Sequence, residues 1–298
     1  MAATTEIGFV GLGRMGGAMA VRFLAAGYTV HGTRRSRQRA ARLISAGLVW
    51  HDSSREVAEA ADVVITSIPN DDALNDVASG RDGIVAGLAP GKTWIEMSTV
   101  SPWASRELAA RVRAQGATML DAPVSGSVPQ AREGTLTIMV GGDEDAYARI
   151  ELLLRELGTP TYIGRNGQGL VLKLAINISL AVQMLAFSEG LLLAERWGVD
   201  RQRALDVMAG SSIGSPLLKA RAPIVFDQPD EAWFDLGFMR KDVELALDAA
   251  RAVDIQLPTA EQADEVLRFA RALGYERRDL VALLQVLEQV ADEPWDAA

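Results

Sequence analysis

The segment "EIGFVGLGRMGGAMAVRFLAAGYTVHGTRR" (residues 6–35) decides the fold class of this chain. It starts as a short apolar strand, passes through a glycine-rich loop into a helical pattern, and ends in a second strand. Gly11, Gly13 and Gly16 have the spacing G-x-G-x-x-G, which permits a tight turn, a close approach to a pyrophosphate and close helix–strand packing. Glycine-rich turns are common, but this one opens a βαβ unit and leads into a helix N-terminus, which favours anions. The segment therefore predicts a dinucleotide-binding loop formed by Gly11, Leu12, Gly13, Arg14, Met15 and Gly16.

The same alternation of apolar strands and helical stretches continues to about residue 165. Strand patterns occur in "DVVITSIP" (62–69), "KTWIEMS" (92–98), "ATMLDAPV" (117–124) and "PTYIG" (160–164). Apolar strands separated by helices are typical of a parallel sheet covered on both faces. We therefore expect an α/β fold in which residues 1–165 form a Rossmann-type, doubly wound, NADP-binding domain.

Strand patterns vanish from residue 166 onward, and the remainder predicts an all-helical C-terminal domain over residues 166–298. The expected helices cover residues 170–196, 201–209, 239–253, 259–272 and 279–290. The longest helix, at about 167–196, is expected to join the two domains. Because its helices are so apolar, we expect this domain to mediate self-association into a homodimer or homotetramer.

Composition excludes several classes of function. The chain has 298 residues with a hydrophobic fraction of 49% and a charged fraction of 23%, as in ordinary soluble globular proteins. A net charge of −9 argues against a general nucleic-acid binder. The absence of cysteine excludes disulfides, thiolate catalysis and Cys-based zinc sites, and no metal site is expected. The N-terminus lacks the basic region of a signal peptide, so the expected location is cytoplasmic.

The end of the second strand decides between cofactors. NAD-binding proteins usually carry an Asp or Glu there to bind the ribose 2′-hydroxyl. This chain has "GTRRSRQR" (32–39), which contains no acid. Guanidinium groups and hydroxyls suit a 2′-phosphate, so NADP is predicted in preference to NAD. The residues assigned to this contact are Thr33, Arg34, Arg35 and Ser36; the alternative is a solvated basic helix start.

One cation lies within the apolar run "GQGLVLKLAINISLAVQMLAF" (167–187), and it is Lys173. The run approaches the length of a membrane span, but its polar residues would be costly in lipid, so we expect a buried helix and no membrane. Burial lowers the pKa of a lysine toward neutrality, which suits a general acid–base. Asn177 lies one turn further on the same helix face. The alternative is a lysine whose amine reaches solvent from a helix start.

The two histidines offer no obvious replacement for this lysine. His31 lies inside the second strand, and His51 lies in a polar loop that we expect to be far from the carboxyl end of any strand. Both are interpreted as structural.

Several motifs in order extend over nearly the whole chain. They are "GFVGLGRMGGAMA" (8–20), "STVSP" (98–102), "DAPVSGSVPQAREGTLTIMVGG" (121–142), "GQGLVLKLAIN" (167–177) and "FDLGFMRKDVELA" (234–246). Together they resemble the signatures of the β-hydroxyacid dehydrogenases, a family that includes 3-hydroxyisobutyrate dehydrogenase, tartronate semialdehyde reductase and glyoxylate/succinic semialdehyde reductases. The resemblance implies an NADP-dependent oxidoreductase that transfers a hydride between nicotinamide and a small, carboxylate-bearing β-hydroxy acid or aldehyde acid.

The resemblance also implies roles for individual residues. Lys173 would be the general acid–base, with Asn177 beside it. The residues that would flank the cofactor are Ser67, Ile68, Pro69, Thr99 and Lys241. The residues that would bind the substrate are Ser125, Gly126, Ser127 and Asp242, and the C-terminal domain would close over the site. In two places the chain departs from the family, because Ser127 and Gln130 stand where glycines are usual; the substrate of the best-known members therefore does not carry over.

Two other classes of protein share this architecture. Imine reductases generally have another residue at the position of Lys173, which weighs against them. Regulatory modules that bind the cofactor without turnover typically lose the lysine as well. Reduction of small aldehyde acids rather than cyclic imines would distinguish the predicted enzyme from both.

Overall fold

A computed structural model of the protein describes residues 5–292, which form two compact units divided between Lys173 and Leu174. Unit 1 contains all nine named strands: β1 (Ile7–Val10), β2 (Val30–Thr33), β3 (Val49–Trp50), β4 (Val63–Thr66), β5 (Thr93–Glu96), β6 (Thr118–Asp121), β7 (Val124–Ser125), β8 (Leu136–Gly141) and β9 (Gly158–Gly164). Its helices are α1 (Arg14–Ala25), α2 (Ala41–Ser45), α3 (Ser54–Ala60), α4 (Asp71–Ala78), α5 (Ile84–Gly87), α6 (Pro102–Arg113), α7 (Val128–Glu133) and α8 (Glu144–Leu154). Helix α9 (Gln168–Arg196) starts in unit 1, and unit 2 continues with α10 (Arg201–Gly210), α11 (Pro216–Arg221), α12 (Leu236–Arg251), α13 (Pro258–Ala272) and α14 (Leu283–Asp292).

The strands form one sheet in the order β3-β2-β1-β4-β5-β6-β8-β7, with β9 paired to β8. The strands from β3 to β6 are mutually parallel, and the strand order reverses between β1 and β4. In open sheets of this kind, ligands bind at the carboxyl edge near such a reversal. The predicted Rossmann-type sheet is therefore confirmed.

The prediction of a wholly parallel sheet is nevertheless wrong at one end of the sheet. Strand β8 runs antiparallel to both β6 and β7. Only the short helix α7 separates β7 from β8, and a connection of that length does not provide the crossover that parallel neighbours need.

Both faces of the sheet are buried, as the continuous apolar strands predict. Successive residues in a strand point to opposite faces. Val64 and Trp94 belong to one apolar cluster, whereas their neighbours Ile65 and Ile95 belong to another. The two clusters lie on the two faces of the sheet, and the helices of unit 1 cover them.

The named elements of unit 2 are all helical over residues 174–292, and they enclose their own apolar core. Helix α12 begins three residues before the predicted position 239 because the Asp235 carboxylate caps it by accepting the Phe238 N–H at 2.7 Å. The predicted helix 279–290 begins as a short 3₁₀ turn before α14, and Asp279 precedes that turn. The Asp279 carboxylate accepts the Val281 N–H of this turn at 3.4 Å, and it is also bound by the Arg221 guanidinium and by the Trp233 N–H, each at 2.8 Å.

Helix α9 is the one helix among residues 5–292 that is long and apolar enough to cross a membrane. The core helix of a soluble protein meets the same criterion. Leu170 contributes to the core of unit 1, and Ala181, Met184 and Leu191 contribute to the core of unit 2. Part of its apolar composition is thus explained by packing inside the two units.

His51 is placed differently from its prediction. It directly follows the two-residue strand β3, whose shortness hid it in the sequence. The His51 Nε2 atom lies 2.9 Å from His31 Nδ1, and His31 Nε2 lies 2.9 Å from the Glu6 carboxylate, which precedes β1. Burial and the neighbouring His31 lower the pKa of His51. Both imidazoles are engaged in this chain of hydrogen bonds.

Candidate active site

The glycine loop after β1 is shaped by close contacts. A Cβ atom on Gly11, which has φ +96°, would lie 2.3 Å from the Ser67 carbonyl oxygen, and one on Gly16 would lie 2.1 Å from the Gly11 carbonyl oxygen. Only glycine fits at these two positions. By contrast, a Cβ on Gly13 would meet nothing within 4 Å, and the first turn of α1 carries no acidic residue. The N-terminus of α1 therefore offers space and N–H groups to an anion, and the loop fits a pyrophosphate.

The carboxyl end of β2 lies beside this loop, since the Gly11 N–H donates to the Thr33 carbonyl at 3.2 Å. Thr33 is buried, Arg34 is half-buried and Arg35 is exposed. The Arg34 guanidinium donates to the Arg39 carbonyl at 3.2 Å. The predicted residues are thus brought together at the edge of the sheet, where guanidinium groups suit a phosphate on the ribose.

The loops after β4 and β5 are joined by a buried carboxyl that the sequence analysis did not identify, Glu96. Its oxygens accept hydrogen bonds from the Ser98 N–H at 2.7 Å and from the Thr66 hydroxyl. The Ser98 hydroxyl in turn accepts the Ile68 N–H at 2.8 Å, and the Thr66 hydroxyl accepts the Trp94 indole N–H at 2.9 Å. Glu96 thereby fixes the two loops that carry the predicted cofactor residues Ser67, Ile68, Pro69 and Thr99.

Burial raises the pKa of Glu96 to about 7, although the hydrogen bonds from Ser98 and Thr66 oppose the rise. Asp121 is its register partner on β6, and burial raises the pKa of that carboxyl to about 6. In the sequence, the one indication of these two buried acids is that each ends an otherwise apolar strand: Glu96 in "KTWIEMS" and Asp121 in "ATMLDAPV".

The predicted substrate loop follows β6. Gly126 has φ +128°, and a Cβ there would lie 2.8 Å from the Leu136 side chain, so glycine is required. The Ser127 N–H and hydroxyl donate to the Gln130 side-chain carbonyl at 3.0 and 2.8 Å. The two departures from the family pattern therefore bind each other and stabilise the start of α7. Ser125, by contrast, is half-buried at the end of β7.

Lys173 lies in the second turn of α9 and is only 9% exposed. This burial agrees with the environment predicted for it. Gly169 lies one turn earlier on the same helix face and packs against β8, because a Cβ there would lie 2.4 Å from the Met139 carbonyl oxygen.

In unit 2, the structure brings together three of the predicted residues. Asn177 and Asp242 are both buried, and the Asn177 amide N–H donates to the Asp242 carboxylate. The Lys241 ammonium lies 2.9 Å from the other Asp242 oxygen. Within the described part of the chain, the Asn177 side-chain carbonyl is buried without a hydrogen-bond partner. Asp242 thus holds Asn177 in one orientation and leaves its carbonyl available as an acceptor.

Comparisons with known proteins bear on this arrangement. Residues 6–165 match the NAD-binding domain of 6-phosphogluconate dehydrogenase, and residues 167–287 match the NAD-binding family of NADP-dependent 3-hydroxyisobutyrate dehydrogenase. The 2-hydroxy-3-oxopropionate reductase of Escherichia coli is 35% identical, over 96% of this chain and 98% of its own length. Glyoxylate/succinic semialdehyde reductase 2 of Arabidopsis thaliana is 30% identical over 96% of this chain and 80% of its own length.

Solved structures of related proteins have a similar fold. The 3-hydroxyisobutyrate dehydrogenase of Mycobacterium tuberculosis, solved with L-serine, has a TM-score of 0.84 and 31% identity over 95% of this chain and 99% of its own. An imine reductase of Myxococcus stipitatus, with a TM-score of 0.65 and 17% identity, shares the fold and is more distant. The two family matches together extend from residue 6 to residue 287, and each of these relatives matches 95% or more of this chain. The chain belongs to the β-hydroxyacid dehydrogenase family of NAD(P)-dependent oxidoreductases.

Proposed function

We propose that this protein uses NADP(H) to interconvert a small β-hydroxy acid and the corresponding aldehyde acid, with Lys173 as the general acid–base. The observation that carries the proposal is the burial of Lys173 in the second turn of α9. A general acid–base must be held in a fixed position, which a buried place on a helix provides. The relatives named for 2-hydroxy-3-oxopropionate and for glyoxylate or succinic semialdehyde support small aldehyde acids as the substrate class.

The nicotinamide cofactor, when bound, supplies or accepts the hydride. In the reducing direction, the carbonyl oxygen of the substrate then needs a proton, and the Lys173 ammonium donates it. In the oxidising direction, the neutral amine takes the proton from the hydroxyl group. Asn177 offers its unpartnered carbonyl to orient the amine or the hydroxyl, and Asp242 holds the Asn177 amide in place. Positioned acid–base groups of this kind typically contribute about 10²–10⁴-fold to the rate.

The substrate carboxylate is assigned to the loop at Ser125 and Gly126, where a hydroxyl and a backbone N–H are available as donors. Ser127 is expected to contribute less to substrate binding than its position suggests, because its N–H and its hydroxyl both donate to the Gln130 side chain. The cofactor is assigned to the glycine loop, and its 2′-phosphate to Thr33, Arg34, Arg35 and Ser36. The end of β2 carries no acid that would repel this phosphate.

The test of substrate class is NADPH oxidation with a panel of compounds. Glyoxylate, succinic semialdehyde and 2-hydroxy-3-oxopropionate are compared with cyclic imines, and each acid is compared with its neutral ester at the same chain length. We expect turnover of at least one acid and a large loss with its ester. Preferred turnover of imines, or equal turnover of acid and ester, would refute the proposed substrate class.

The test of Lys173 uses two substitutions. Lys173→Ala should lower the single-turnover rate about 10²–10⁴-fold and leave the NADPH dissociation constant, measured by fluorescence titration, nearly unchanged. Lys173→Arg should not restore the rate, because arginine stays protonated. A folded Lys173→Ala variant with wild-type turnover would show that the lysine is structural.

A further inference from the structure

Asp121 is a buried acid to which neither the sequence analysis nor the proposed reaction gives a task. It is the last residue of β6 and is 0% exposed. One carboxylate oxygen accepts the Gly167 N–H at 2.7 Å, and the other accepts the Leu170 N–H at 3.1 Å. These N–H groups belong to the residue before α9 and to its third residue. The first N–H groups of a helix have no partner within it.

Helix α9 thus receives its N-terminal cap from another strand. A helix is usually capped by the side chain of the residue that precedes it, and here that residue is Gly167, which has none. The Asp121 carboxylate takes this role and places an acidic group at the positive end of the helix dipole. The neighbouring Asn166 side chain adds a bond to the Met119 carbonyl at 2.9 Å. The start of α9 is therefore tied to the end of β6.

The carboxylate has little freedom to move. A Cβ atom on Gly141, its partner on β8, would lie 2.7 Å from an Asp121 oxygen, and a Cβ on Gly169 would lie 2.9 Å from the same oxygen. Glycine at both positions lets the strand and the helix close around the acid. Gly169 is four residues before Lys173, so the helix face that packs against Asp121 is the face that carries the lysine.

We propose that Asp121 is a positioning residue for Lys173. By capping α9 from β6, it fixes the first two turns of the helix, both in rotation about the helix axis and in position along it. The position of the Lys173 amine is fixed as a result. This inference rests on the proposed role of Lys173 as the general acid–base. Reacting groups must be held closely, since a displacement of about 1 Å can cost about 10²-fold in rate. Asp121 itself need not touch the substrate.

The first experiment compares Asp121→Asn with a matched control, Asp143→Asn. Asp143 caps α8 in the same unit by accepting the Ala146 N–H at 2.8 Å, and α8 carries none of the proposed site residues. Asp121→Asn should lower the single-turnover rate of aldehyde-acid reduction about 10- to 100-fold, with the NADPH dissociation constant changed less than about twofold. Asp143→Asn should leave turnover unchanged, because asparagine caps a helix about as well as aspartate and α8 carries none of the proposed site residues. Equal effects of the two variants on turnover would overturn the proposal.

The second experiment is a double-mutant cycle, which a merely structural role would not satisfy. In a Lys173→Ala background, Asp121→Asn should cause no further loss of rate, because the group that it positions is gone. A loss by the same factor in both backgrounds would overturn the inference and leave the role of Lys173 intact. If the Lys173→Ala variant itself turned over substrate at the wild-type rate, both the inference on Asp121 and the proposed role of Lys173 would be overturned. If Asp121→Asn does not fold, Gly169→Ala replaces it in the cycle, since its Cβ would push α9 away from Asp121 and Met139.

Discussion

The carboxyl of Glu96 is buried with its proton partly retained at neutral pH, and this sets how it contributes to stability. Burial raises its pKa from 4.5 to about 7. Between these values, the folded protein holds a proton that the unfolded chain has released. The contribution of Glu96 to the free energy of unfolding therefore falls as the pH rises from 4.5 to 7 and is constant above that range. Asp121, raised from 3.8 to about 6, acts in the same direction, whereas the lowered pKa of His51 acts in the opposite one.

Substituting Glu96→Gln should remove this dependence. Glutamine has the same shape and can still accept the Ser98 N–H and bond to the Thr66 hydroxyl. Relative to wild type, the variant should become more stable as the pH rises from 5 to 8, by on the order of 3 kcal/mol at most. The measurement is urea unfolding across this range, with Glu107→Gln, an exposed position on α6, as the control. A difference that does not vary with pH would contradict the assigned pKa.

Arg34 is expected to select the phosphate of NADP. Loss of a charge-assisted hydrogen bond costs about 1.5–3 kcal/mol, so Arg34→Ala should lower kcat/KM for NADPH about 10- to 100-fold and change that for NADH little. Arg42→Ala, an exposed arginine on α2, is the matched control and should change neither value. A wild-type preference for NADH, or unchanged NADPH efficiency in Arg34→Ala, would refute the cofactor assignment.

The sequence shows some of these residues and hides others for a physical reason. Gly11 and Gly16 are recognisable because their spacing alone encodes a local turn, and Lys173 because it interrupts an apolar run. Glu96 and Asp121 look like ordinary polar ends of strands. Their importance depends on groups of distant segments, which are the Thr66 hydroxyl on β4 for Glu96 and the Gly167 N–H before α9 for Asp121. The fold must bring these segments together first.

Among the elements, length decides what the sequence could predict. The long helices of unit 2 and the apolar strands of unit 1 repeat their patterns often enough to be recognised. Strands β3 and β7 have two residues each, and the short helix α11 was likewise not predicted. The antiparallel placement of β8 depends on β7 and was missed for that reason. A two-residue strand exists through its pairing rather than through any pattern of its own.

The start of helix α7 affects both the stability of the protein and the charge beside the predicted substrate loop. Gln130→Ala removes the carbonyl that both Ser127 donors use, so it should lower the free energy of unfolding by about 1 kcal/mol. Gln130→Glu should keep these bonds, since either residue serves at this position of a capping box. Its negative charge should, however, raise KM for the aldehyde acid several-fold. The measurements are urea unfolding and steady-state kinetics on both variants; equal stability of Gln130→Ala and wild type would contradict the cap.

At the scale of the whole molecule, unit 2 exposes large apolar side chains that its own fold does not cover. Leu193 near the end of α9 is 62% exposed, and Trp197, the residue directly after this helix, is 84% exposed. The Trp197 N–H donates to the Leu193 carbonyl at 3.2 Å, so the two residues lie on the same side of the helix end. Val207 on α10 is 70% exposed. Isolated exposed apolar residues are ordinary, but aromatic and aliphatic groups placed together on one helix face are enriched at interfaces between subunits. We expect this face to pair with a second copy of the chain, giving the proposed homodimer or homotetramer.

This expectation is tested by light scattering coupled to size-exclusion chromatography. Wild type should elute with at least twice the mass of one chain, and a Leu193→Glu/Trp197→Glu variant should shift to the monomer, because two buried carboxylates without partners cost far more than such a contact provides. Leu152→Glu is the control: Leu152 on α8 of unit 1 is 79% exposed, and its charge should leave the mass unchanged. A monomeric wild type would refute self-association. An oligomer that survives the double substitution would place its interface on another surface of the molecule.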